Sequence, residues 1–72
     1  MRYLEVGKTF VAKMTAENNI GQVVFERGEA VIVTGAFRPL IVDEDVFIVQ
    51  AANRPQAYLE VSRFDEYMER AP

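Results

Sequence analysis

The chain contains no cysteine, no histidine and no tryptophan in 72 residues, and only one serine. Without cysteine there is no disulfide and no thiolate to act as nucleophile or metal ligand. Without histidine the usual base of a nucleophilic triad is missing, and so is the commonest transition-metal ligand. The lone serine, Ser62, sits where a helix is expected to begin and reads as a cap. Carboxylates remain as acid–base groups, but a chain this short leaves little room for a desolvated cleft around them. The residues therefore point to a non-enzyme with no cofactor and no metal. The run Asp43-Glu44-Asp45 lacks the spacing of a Ca²⁺ loop, which gathers about 6–8 oxygen ligands, and reads as a solvated turn or an acidic knob facing a partner.

Long apolar runs are also missing. Nothing approaches the ~20 residues of a membrane-spanning helix, and the opening Met1-Arg2-Tyr3-Leu4-Glu5-Val6 has no signal-peptide core. These features set the expectation of a cytoplasmic chain. Basic clusters are absent as well. The eight Lys and Arg run singly from Arg2 to Arg70 against eleven Asp and Glu, for a net charge of −3. Residues 1–36 carry four charges of each sign, and residues 37–72 carry four Arg against seven acids. Excess negative charge repels phosphate backbones and anionic lipid. Nucleic acid is disfavoured as a partner, although Tyr3, Phe47 and Tyr58 could stack on bases. A basic or neutral surface on a larger protein fits better.

Half of the residues are hydrophobic, enough for one thin core in a single domain spanning residues 1–72, since a chain of this size buries only about 60% of its unfolded surface. The best-determined stretch is Val23-Val24-Phe25-Glu26-Arg27-Gly28-Glu29-Ala30-Val31-Ile32-Val33. β-branched and aromatic residues flank a charged turn, with Gly28 supplying positive φ. Tyr3 to Val6 alternates as a strand would, and so does Lys8 to Thr15 with Phe10, Ala12 and Met14 on one face. A helix over residues 8–17 is the rival reading. Glu17 to Gly21 reads as a turn. Pro39 takes the chain out of a sheet, and Leu40-Ile41-Val42 and Val46-Phe47-Ile48-Val49 read as two strands around the acidic turn. Ala57-Tyr58-Leu59-Glu60-Val61 is the last strand. A short helix follows, with Ser62-Arg63-Phe64-Asp65 as a capping box and Phe64, Tyr67 and Met68 on its apolar face.

The order Phe10-Val11-Ala12, a polar excursion from Thr15 to Gln22, Val24-Phe25-Glu26-Arg27-Gly28-Glu29-Ala30-Val31-Ile32-Val33, and a closing Ala57-Tyr58-Leu59-Glu60-Val61-Ser62-Arg63-Phe64-Asp65-Glu66-Tyr67 resembles Src-homology-three-like small barrels. The likeness covers roughly residues 8–68 and rests on the Gly28 turn. It implies a mainly β, five-stranded antiparallel barrel with a short C-terminal helix; the alternative is an α+β fold with residues 8–17 helical. The pocket tryptophan of the proline-peptide binders is missing, and Glu60 stands where their late proline would fall, so the resemblance implies the scaffold without that ligand.

By elimination the chain reads as a protein-binding module acting as a regulator or inhibitor of a larger machine. In size and charge it is similar to bacteriophage-encoded inhibitors of host enzymes such as RNA polymerase. The alternatives are a nucleic-acid-binding barrel and an assembly subunit that pairs strands with a copy of itself; a monomer or weak homodimer is expected. Aromatic and Arg side chains dominate binding hot spots. Phe37 and Arg38, assigned to a loop, are accordingly the first expected contacts, with Leu40, Asp43, Glu44, Asp45 and Arg54 nearby.

Overall fold

The structure is a computed structural model and describes residues 5–70. It is mainly β. Strands β1 (Thr9–Ala12), β2 (Ala16–Glu17), β3 (Val23–Phe25), β4 (Ala30–Phe37), β5 (Val46–Gln50) and β6 (Ala57–Glu60) are followed by a 3-10 turn at Val61–Arg63. One helical turn, α1 (Phe64–Tyr67), and a final strand, β7 (Met68–Arg70), complete the described chain. All pairing is antiparallel. A five-stranded sheet in the order β6-β5-β4-β1-β7 curls into a half-barrel, and β2 and β3 form a separate two-stranded ribbon. Residues 8–17 hold β1, a bend and β2, and are not helical.

The Gly28 turn is where the two sheets part. Glu29 donates its N–H to the Glu26 carbonyl at 3.0 Å, and Gly28 has φ of 90°. The strands on either side do not pair with each other: β3 pairs with β2, and β4 with β1 and β5. The turn is pinned to the end of β1 instead, by Gly28 N–H to the Ala12 carbonyl at 2.8 Å and Ala12 N–H to the Glu29 carbonyl at 3.0 Å. The stretch that reads locally as two apolar segments around a charged turn is thus a divergence between two sheets. Because β3 and β4 leave in different directions, each presents its own apolar face to a shared core.

That core is built by alternation. Phe10 and Ala12 of β1, Val31 and Val33 of β4, Phe47 and Val49 of β5 and Leu59 of β6 point inward and are buried. Phe64 closes it. Its ring stands edge-on to Phe10 at 4.8 Å and to Phe47 at 5.1 Å between centroids, the arrangement that ring quadrupoles favour.

The C-terminal segment departs from the sequence expectation. The helix stops after one turn, because Met68 is already extended (φ −128°, ψ 146°) and begins a strand on β1. Phe64 and Met68 are both buried, as an apolar helical face would require, but one turn followed by a strand places them inward equally well. The strand also satisfies the free edge of β1, which a helix would leave open. No capping box forms: the Ser62 side chain makes no cap, and its N–H donates to a Glu44 carboxylate oxygen at 3.1 Å. Leu40-Ile41-Val42 is not a strand but part of an irregular loop. Of the expected first strand, Tyr3 and Leu4 lie outside the described residues, and Glu5 and Val6 lie in a turn. Glu5 is buried and paired with Arg70 at 3.0 Å and Lys8 at 3.8 Å, which ties this turn to β7.

Two substitutions test these contacts. A side chain at position 28 meets no neighbour within 4 Å, so the strain is all in the backbone; Gly28→Val should cost more than about 1 kcal/mol in denaturant unfolding. Phe64→Ala should cost about 3–5 kcal/mol. That rivals the whole stability of a domain this size, at roughly 0.05–0.15 kcal/mol per residue, so thermal melts should show a largely unfolded protein, while Phe64→Leu should still fold.

Candidate functional site

β4 carries an irregularity that decides what its end displays. Its register with β5 runs Val33↔Val49 and then Gly35↔Ile48, so Thr34 is an extra residue. A bulge of this kind reverses the alternation beyond it. Upstream, the odd-numbered Val31 and Val33 point inward; downstream, Ala36 packs on the core and Phe37 faces out. A Cβ at Gly35 would lie 3.4 Å from Ile48 Cδ1, an ordinary van der Waals contact.

Phe37 is therefore the last residue of a strand, and not a loop residue as the sequence suggested. It is 38% exposed and packs edge-on against Tyr58 of β6, with centroids 5.6 Å apart and planes at 78°. Pro39, Ile41, Val42 and Val46 surround this pair and form a shallow apolar recess. Leu40 and Ile41 project from the loop rim at 104% and 95% exposure, and Tyr58 is 66% exposed. Monomeric proteins scatter single apolar residues over their surfaces; several large ones together mark an interaction site.

The loop holding them is braced by the charges around it. Arg38 Nε donates to Asp45 Oδ1 at 3.3 Å, and Arg38 Nη1 lies 3.8 Å from Asp43 Oδ1. The Val61 N–H donates to the Asp45 carbonyl at 3.1 Å. With Glu44 bound to the Ser62 N–H, both Glu44 and Asp45 are engaged within the fold. Arg38 is thus a clasp, and Asp43, whose side chain is fully exposed, is the freest of the three acids.

Phe37, Arg38, Leu40, Asp43, Glu44 and Asp45 all lie in this one region. Arg54 does not. It follows β5 at the far end from Phe37, which pairs with Val46 at the near end. Its guanidinium forks onto Glu29, with Nε to Oε1 and Nη2 to Oε2 both at 2.9 Å, and lies 3.5 Å from Glu26. Arg54 thereby locks the loop after β5 onto the Gly28 turn. The sequence reading offered Tyr58 only as a base-stacking residue and did not place Tyr58 or Ile41 among the expected protein contacts. Tyr58 was legible as the outward member of β6, whereas Ile41 was hidden because an apolar triplet between Pro39 and an acidic run reads equally well as a strand.

No family model matches the chain, and no curated protein or solved structure matches it. Among the described residues there is no cluster of metal-ligating side chains and no helix long and apolar enough to cross a membrane.

The Arg54 hydrogen bond holds the Glu29 carboxyl below the usual carboxylate range, aided by the Glu26 N–H and opposed by partial burial. Glu29 in turn raises Arg54. A folded-state value depressed below the unfolded one gives stabilisation that is complete above the unfolded Glu value of about 4.3 and is lost as pH falls through the folded value. Thermal melts should therefore show Arg54→Met less stable than the parent at neutral pH, with the gap closing as the pH drops below about 4.

Proposed function

We propose that the chain is a small acidic protein-binding module that regulates or inhibits a larger protein by occupying part of its surface. The observation that carries this reading is the apolar patch of Phe37, Leu40, Ile41 and Tyr58, held out on a braced loop. Leu40 and Ile41 contribute nothing to the core, so their exposure has no folding rationale. Asp43 and Glu60 border the patch and suit a partner whose apolar recess is rimmed by Lys or Arg.

The Src-homology-three-like reading belongs to this proposal. A ribbon branching off at a Gly turn and a closing one-turn helix agree with it, as does a five-stranded curled sheet. Nucleic acid is less well served. Lys8, Arg38, Arg54, Arg63 and Arg70 are each paired with carboxylates, which leaves Lys13 and Arg27 as the described basic side chains outside ion pairs.

Leu40→Asp and Ile41→Asp test the patch. Each side chain is exposed, so melting should shift by less than about 0.5 kcal/mol equivalent. Co-purification with the partner protein from host lysate should fall at least tenfold, an effect of roughly 1.4 kcal/mol. Phe37→Ala should weaken binding by roughly 2 kcal/mol if it is a hot spot. A variant that retains the same partners at the same yield places the interface elsewhere.

A further inference from the structure

We infer that the open edge of β6 is a second binding element, one that accepts an extended segment of a protein partner carrying alternating apolar and basic side chains. β6 ends the sheet order, and its far side has no strand partner among the described residues. The pairing with β5 shows which backbone groups are free. The Val61 N–H reaches the Asp45 carbonyl across the Glu60↔Val46 pair, so that pair is a non-hydrogen-bonded one. By alternation Leu59 and Ala57 spend their backbone groups on β5. Tyr58 then offers both its N–H and its carbonyl to the open side, and Glu60 offers its N–H.

These groups do not face bulk solvent alone. They border a cleft of ≈ 540 Å³ between β6 and the β2–β3 ribbon. Val24, Phe25, Leu59 and Tyr67 line it with apolar surface, and Glu17 and Glu60 stand on its opposite walls. Neither glutamate is in an ion pair among the described residues, whereas Arg63, also at the cleft, is countered by Glu66 at 3.8 Å. An added strand places alternate side chains on opposite faces. The inward ones would meet the apolar lining beside Leu59. The outward ones would meet Tyr58 and Glu60, where Lys or Arg makes the favourable cross-strand pair. Main-chain bonds from Tyr58 and Glu60 would supply affinity, and the two carboxylates would set the preference for a basic segment, as in β-strand addition generally.

The inference rests on the protein-binding reading and shares Tyr58 and Glu60 with the loop patch, but it uses their backbone groups and the cleft toward the β2–β3 ribbon, from which Leu40 and Ile41 are absent, so the two can fail separately. In the free protein, amide exchange should be fast at Tyr58 and Glu60 and slow at Leu59. A short end-blocked peptide alternating valine and lysine, titrated to millimolar concentration, should shift the Tyr58 and Glu60 amide resonances and protect them from exchange. N-methylating its alternate amides should weaken binding on the order of tenfold. A valine–glutamate peptide should bind roughly fivefold more weakly, and Glu60→Lys should reverse that preference. Leu40→Asp should leave peptide binding unchanged, which separates this edge from the loop patch. The inference is overturned if the Tyr58 amide is already protected in the free protein, as it would be in a dimer formed through this edge. It is also overturned if both peptides bind equally, or if neither moves the Tyr58 and Glu60 resonances.

Discussion

The fold depends on one aromatic cluster. Phe10 from β1, Phe47 from β5 and Phe64 from α1 meet edge to face, and this contact joins the middle of the sheet to the segment after β6. With Phe64 seated there, the chain is delivered to the free edge of β1, where Met68 to Arg70 can pair. The Arg70 guanidinium then lies 5.6 Å from the Phe10 ring centroid and 3.0 Å from the Glu5 carboxylate. One buried ring thus carries a chain of contacts that closes one side of the half-barrel.

The charged residues act elsewhere, on the loops and strand ends. Most described ion pairs brace loops or strand ends: Arg38 with Asp43 and Asp45, Arg54 with Glu26 and Glu29, Glu5 with Lys8 and Arg70. Exposed pairs contribute little energy individually, so their effect is mainly to hold loops in one arrangement. At the loop after β4 this turns charge inward onto the chain and leaves aliphatic side chains outermost. What reads as an acidic knob is, in three dimensions, an apolar tip on an acidic brace.

How far the sequence could be read follows from the range of the interactions involved. Gly28, the alternating strands and the inward placement of Phe10, Ala12 and Phe64 come from local periodicity and turn chemistry, whereas Phe47, which reads as a side chain able to stack on bases, is fully buried. Proximity along the chain also accounts for the clustering of the candidate residues from Phe37 to Asp45. The separation of Arg54 from them was not legible, because its partner Glu29 is 25 residues away. The outward turn of Phe37 was hidden for a related reason: one extra residue at Thr34 reverses the face of everything after it, and no local pattern marks it.

By itself the sequence determined a mainly β chain, its principal strands, a positive-φ turn and one apolar core, since each follows from the preferences of neighbouring residues. Tertiary structure alone decided that the chain after Tyr67 becomes a strand and that β6 is left with an open edge. Each of these depends on which distant backbone groups remain unpaired, a condition set only once the whole sheet has assembled.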